Sequence, residues 1–173
     1  RRDLALAHPM QRLLQGDVGS GKTLVAACAA LQAIESGYQA ALMAPTEVLA
    51  EQHFHKLEPL LAPLGVRIAW LTGSLPAKAK EQARAAIAFG DVQLAIGTHA
   101  LFQQGIEFAN LGLAIIDEQH RFGVQQRHLL RAKGGSEAGE AHQLLMSATP
   151  IPRTLSMSYM ADLDISVIDE LPP

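Results

Sequence analysis

Short apolar runs alternate along the chain with longer stretches in which apolar residues return every three or four positions. The runs predict strands over residues 12–15, 40–44, 66–71, 92–96, 113–116, 143–146 and 166–168. Several are almost continuously apolar, as strands covered on both faces should be. The intervening stretches predict helices over residues 23–36, 47–61, 76–89 and 124–132. Gly37 and Gly90 stand just past two of these helices and Pro76 opens one, the usual placement of stops and starts. Pro59 falls inside the second helix, where its missing amide predicts a kink or an early end. Residues 134–141, GGSEAGEA, are small and polar and read as a mobile surface loop. Strand–helix–strand repeated this often gives an α/β fold: a three-layer domain with a mostly parallel sheet.

The 173 residues suffice for one domain with a single core. An apolar fraction of 49% argues against disorder, and no apolar run is long enough to span a bilayer. The chain opens on RRDLALAHP without an initiator Met or a leader pattern, and it ends on DELPP. It reads as one lobe of a longer chain, residues 1–173, cut at a domain edge. Cys28 lies in an Ala-rich helical pattern and reads as a small core thiol in a reducing, cytoplasmic compartment. The net charge of −3 changes the picture for nucleic acid. Any such contact has to be local, or other parts of a longer chain supply the positive field.

Candidate chemistry begins with GDVGSGKT, Gly16 to Thr23, between a predicted strand and a predicted helix. It has the phosphate-loop spacing G-x-x-x-x-G-K-[ST]. Gly16, Gly19, Ser20 and Gly21 let successive backbone amides turn around phosphate oxygens, and the next helix offers its positive end to the same anion. Lys22 then reaches the terminal phosphates of ATP, and the Thr23 hydroxyl holds Mg²⁺. A chance glycine-rich turn is the plain alternative; the strand before and the helix after argue against it.

A second stretch, LGLAIIDEQHRFG, carries an apolar run directly into two acids, Asp117 and Glu118. A lone acidic pair is ordinarily a solvated strand end. Beside a phosphate loop it has another use, because a cation there offsets the cost of burying a carboxylate. Asp117, at the end of a strand neighbouring the loop's own, binds that Mg²⁺ directly or through a water. Glu118 orients and deprotonates the attacking water. His53 and His55 stand two apart on a predicted helix, the wrong spacing for a shared metal site.

GDVGSGKT, APTEVLAEQH, TGS, GTHALF, DEQHRFG and SATPIPRTL follow the order and approximate spacing of the superfamily-two helicase motifs. The chain resembles their first RecA-like motor lobe over nearly its whole length. Within that superfamily, DEQHRFG and the SVIDELPP ending resemble the bacterial branch-migration helicases. The transcription-repair coupling factor, the rival, typically has Phe in place of Ser20 and Glu in place of Gln119. A P-loop switch without turnover is a rival of another class, against which Glu118 argues.

The resemblance implies an ATP-driven DNA helicase working on branched duplex DNA in repair and recombination. It also implies a second RecA-like lobe and a wedge domain as partners within a longer chain, a nucleoid-associated setting and no membrane. Pro45, Thr46 and Glu47, with Gly73, Thr98 and His99, are by resemblance contacts to the DNA backbone, which position without reading sequence. By the same resemblance, Gln119, His120, Ser147 and Thr149 couple nucleotide state to DNA grip. Arg121 either pairs with an acid or reaches DNA.

Overall fold

A computed structural model describes residues 10–17, 19–103, 105–117, 141–148 and 164–168. The expected helix at 124–132 and all but the last residue of the expected loop at 134–141 lie outside these. The described elements are β1 (Gln11–Gly16), α1 (Lys22–Glu35), β2 (Gln39–Met43), α2 (Glu47–Leu61) and β3 (Ile68–Leu71). They continue with α3 (Ala77–Phe89), β4 (Leu94–Gly97), β5 (Leu111–Asp117), β6 (His142–Ser147) and β7 (Asp164–Ile168). Each predicted apolar run is therefore a strand. Ala141, the last residue of the expected loop, is buried and leads into β6.

The strands form one sheet in the order β3-β4-β2-β5-β6-β1-β7, and every pairing is parallel. Burial follows position. The inner strands β2, β4 and β5 are buried at every residue, whereas the edge strands β3 and β7 are only partly covered. This is why the inner runs read as continuously apolar.

Alternate strand residues face two cores. Leu14, Leu42, Leu113, Ile115 and Met146 pack with the alanines of α1 and with Leu57 and Leu61 of α2. Leu13, Met43, Ala114, Ile116 and Leu145 pack on the other face with Ile87 of α3 and the single turn at Leu101 and Phe102. Three layers result. The side chain of Gln39 joins them at one end, donating to the carbonyls of Ile87 and Val92 and accepting from the Asn110 amide.

One expectation is corrected, and of the kink or early end expected at Pro59 the early end is excluded. Cys28 is exposed, because the buried stripe of α1 runs through Ala26, Ala27, Ala30 and Ala33 and leaves position 28 on the solvent side. Helix α2 continues through Pro59 to Leu61. Pro59 lies on the exposed face in the last turn, where water can satisfy the carbonyl that loses its amide.

Gly97 sets the spacing at one edge of the sheet. It pairs with Leu71 of β3, and a Cβ there would overlap the Leu71 carbonyl oxygen. Gly97→Ala should therefore destabilise the chain by about 1–3 kcal/mol, the usual cost of overpacking a tight site. Urea denaturation measures this, and a loss below about 0.5 kcal/mol, typical of a neutral surface change, would contradict the packing described.

Candidate active site

Gly16 is the last residue of β1, and the loop after it returns on itself. The Ser20 amide donates to the Asp17 carbonyl at 3.0 Å. A side chain at Gly16 would collide with the buried Ser20 hydroxyl. Gly19 and Gly21 have φ of 84° and 88°, the left-handed region that glycine enters without strain. Helix α1 then begins at Lys22 with no side-chain cap and no acid in its first turn among the described residues. Among the described residues no side-chain cap or first-turn acid thus competes with an anion for its positive end. The Lys22 ammonium lies back over the loop, donating to the carbonyl of Gly16, to that of Asp17 at 2.8 Å and towards the Ser20 hydroxyl at 3.5 Å.

Asp117 ends β5 and is 8% exposed. Alternation along the strand turns it to the face that carries α1 and α2, as it does Leu113 and Ile115. There the Asp117 Oδ2 meets the Nε2 of His53, from α2, at 2.6 Å. Gly19, Gly21, Lys22, Thr23, His53 and Asp117 line one cavity of about 460 Å³. The loop and the acid thus share a space although their strands are not adjacent. β6 runs between β1 and β5, pairing Leu145 with Leu13 on one side and Ile116 on the other. The expectation that the acid's strand neighbours the loop's strand is corrected accordingly. Ser147, the last residue of β6, is fully buried between the two.

Residues 4–158 match the DEAD/DEAH box helicase family. The chain belongs to that family. Among individual helicases, it is 60% identical over 99% of its length to the ATP-dependent DNA helicase RecG of Escherichia coli strain K12, of which it covers 25%. The RecG of Haemophilus influenzae is 58% identical over the same share, again covering 25% of that protein. The chain thus spans about a quarter of these relatives' length. The solved structure of RecG bound to a three-way DNA junction superimposes with a TM-score of 0.82 at 42% identity, covering 100% of this chain and 22% of that one. A DEAD box protein from Methanococcus jannaschii shares the fold, with a TM-score of 0.70 at 22% identity over 92% of this chain and 46% of its own.

The remaining helicase positions fall at the same end of the sheet. Pro45, Thr46 and Glu47 follow β2, Gly73 follows β3, and Thr98 and His99 follow β4. Thr46 caps α2, its hydroxyl accepting from the Leu49 amide at 3.3 Å. Gly73 and His99 are exposed, while Thr98 is buried at 3% exposure. Glu47 turns sideways: its carboxylate accepts from the Ser74 amide at 3.0 Å and the Ser74 hydroxyl at 2.5 Å. The carboxylate thereby ties the segment after β2 to the turn after β3, and Lys80 donates to the Gly73 carbonyl in the same turn. Glu118, Gln119, His120, Arg121 and Thr149 lie outside the described residues.

His53 was missed by sequence reasoning that weighed it only as a metal ligand alongside His55. A signal was available. Position 53 lies on the stripe of Ala50, Leu57 and Leu61 that α2 buries, and a polar group placed there needs a partner.

The hydrogen bonds from Ser74 hold the Glu47 carboxyl below its ordinary value of 4.5. A carboxyl depressed by folding stabilises above its unfolded value and loses that contribution as pH falls through the folded value. The difference in urea midpoint between the wild-type chain and Glu47→Gln should hold from about pH 7 to 5 and shrink on further acidification. A difference that grows in acid would contradict the Glu47–Ser74 link.

Proposed function

We propose that the chain is the ATP-hydrolysing motor lobe of a DNA helicase that translocates on branched duplex DNA, at stalled forks and four-way junctions, in repair and recombination. The observation that carries this is that Lys22, Thr23 and Asp117 line one and the same cavity. The identity to RecG proteins favours branched DNA as the substrate.

The residues present fit Mg²⁺. The Thr23 hydroxyl and the Asp117 carboxylate are hard oxygen donors, and this cation takes one or two such ligands and completes its shell with phosphate oxygens and waters. When bound, it neutralises charge developing on the transferred phosphoryl group. Amides of the loop and of the start of α1 cradle the phosphates of ATP. Lys22 exchanges its loop carbonyls for terminal phosphate oxygens. Glu118, next in sequence to Asp117, orients the attacking water and takes its proton. Pro45, Thr46, Glu47, Gly73, Thr98 and His99 form the face that meets the DNA backbone, Glu47 by bracing the turn at Ser74 rather than by touching phosphate. Gln119, His120, Ser147 and Thr149 relay nucleotide state to that face.

The remainder of the motor, on this reading, is a second RecA-like lobe that supplies arginines to the γ-phosphate and a wedge domain that engages the junction. Arginine fingers contribute about 10³- to 10⁵-fold to turnover in P-loop enzymes. The isolated chain should therefore hydrolyse ATP barely above background, with or without DNA, in a steady-state phosphate-release assay. Brisk DNA-stimulated turnover by this lobe alone would contradict the division of labour.

In the full-length helicase, Glu118→Gln should lower DNA-stimulated hydrolysis by about 10²- to 10⁴-fold, the usual share of a positioned base. Nucleotide binding should be preserved. Unchanged hydrolysis would overturn the role given to Glu118, whereas a full-length wild type without DNA-stimulated hydrolysis would favour a nucleotide switch.

A further inference from the structure

His53 is the one buried polar residue on the inner stripe of α2. Its bond to Asp117 joins side chains only 10% and 12% exposed. As the carboxylate accepts, the bond is donated from Nε2. The other ring nitrogen, Nδ1, is buried and meets no polar atom among the described residues. Among the described residues, no second polar tie anchors the ring. Its position follows the helix on one side and the Asp117 carboxylate on the other.

That bond crosses the middle of the molecule. In the sheet order, β3, β4 and β2 lead to the segments assigned above to DNA, whereas β5 and β1 lead to those assigned to nucleotide and metal, with β6 and its coupling residue Ser147 between them. β2 and β5 meet at the boundary. Helix α2 starts on the DNA side, capped by Thr46, and seven residues later, about 10 Å along its axis, His53 holds the acid of the nucleotide side. The helix is well braced over this distance. Ala50, Leu57 and Leu61 are buried in the core, and Phe54 packs edge-on against Trp70 of β3 with ring centroids 5.7 Å apart. A displacement of a helix so braced would carry the ring, and through it would reach Asp117.

We propose that His53 is a positioning residue that couples strand contact at the start of α2 to the metal-binding acid. The proposal rests on the reading of Asp117 given above. By occupying Oδ2, His53 fixes the plane of the carboxylate and leaves Oδ1 for the cation or one of its waters. Outer hydrogen bonds of this kind are worth about 10- to 100-fold in metal affinity. When DNA engages the residues around Thr46 and shifts α2, the carboxylate is re-aimed, and cation affinity at the loop changes with it. Linkage requires the converse: cation and nucleotide alter the grip on DNA by the same factor.

The test uses the full-length helicase and a fluorescent, non-hydrolysable ATP analogue. Its binding is titrated with Mg²⁺, with and without forked duplex DNA at one salt concentration. The wild type should show a half-saturating Mg²⁺ concentration that DNA shifts by about 5-fold or more, the range of ordinary coupling. His53→Leu should raise that concentration about 10-fold and remove the DNA shift. His53→Gln, whose amide can reach the same carboxylate oxygen, should restore both, and thermal melts establish that each variant is folded. The proposal is overturned if DNA does not move the wild-type midpoint, if His53→Leu behaves as wild type, or if Leu and Gln behave alike. Asp117→Asn separates the two levels. If it leaves the Mg²⁺ midpoint unchanged, the metal-binding role of Asp117 is wrong; if it raises the midpoint while His53→Leu does not, only the coupling fails.

Discussion

Every strand pairing in this sheet is parallel, and the arrangement of the site follows from that one constraint. Parallel strands all finish at the same edge. Each segment singled out in the sequence starts at, or just past, the last residue of a strand: Gly16, Pro45, Gly73, Thr98, Asp117 and Ser147. Segments scattered over most of the chain therefore emerge along one line. Sheet order then sorts them into two adjacent sets, one on β3, β4 and β2 and the other on β5, β6 and β1. Ligands of open α/β sheets gather at such an edge.

Close approach at that edge explains the glycines better than flexibility does. Gly97 lets β4 lie against the Leu71 carbonyl, and Gly16 leaves room for Ser20 to fold back over the strand end. Gly112 does the same service inside β5, where a side chain would strike the ring of Tyr38. Gly19 and Gly21, in the phosphate loop itself, instead owe their identity to a left-handed backbone. A buried carboxylate is the complementary problem. Asp117 is nearly enclosed, and one imidazole is what holds it in place among the described residues.

Much of this was legible in the sequence, because local chemistry announces itself locally. Every strand was visible as an apolar run, and the phosphate loop as a spacing of glycines before Lys22. What was not legible depends on long-range placement. Nothing in the chain says that β6 slots between β1 and β5, since the order of parallel strands is fixed by crossovers and not by composition. The partner of His53 lies 64 residues away on another element, so its burial could be inferred from the helix stripe but its contact could not. Cys28 was misplaced because an alanine-rich helix gives a weak contrast between its faces. Pro59 was tolerated because the last turn of α2 faces water.

The central claim is that the Thr23 hydroxyl and the Asp117 carboxylate serve one cation between them. Its most direct test is a crystal structure with Mg²⁺ and a non-hydrolysable ATP analogue. The account predicts a single Mg²⁺ at about 2.0–2.1 Å from the Thr23 hydroxyl, touching Asp117 directly or through one bound water, with His53 on the carboxylate's other oxygen. A cation bound clear of Thr23, or an Asp117 turned away from it, would contradict the account.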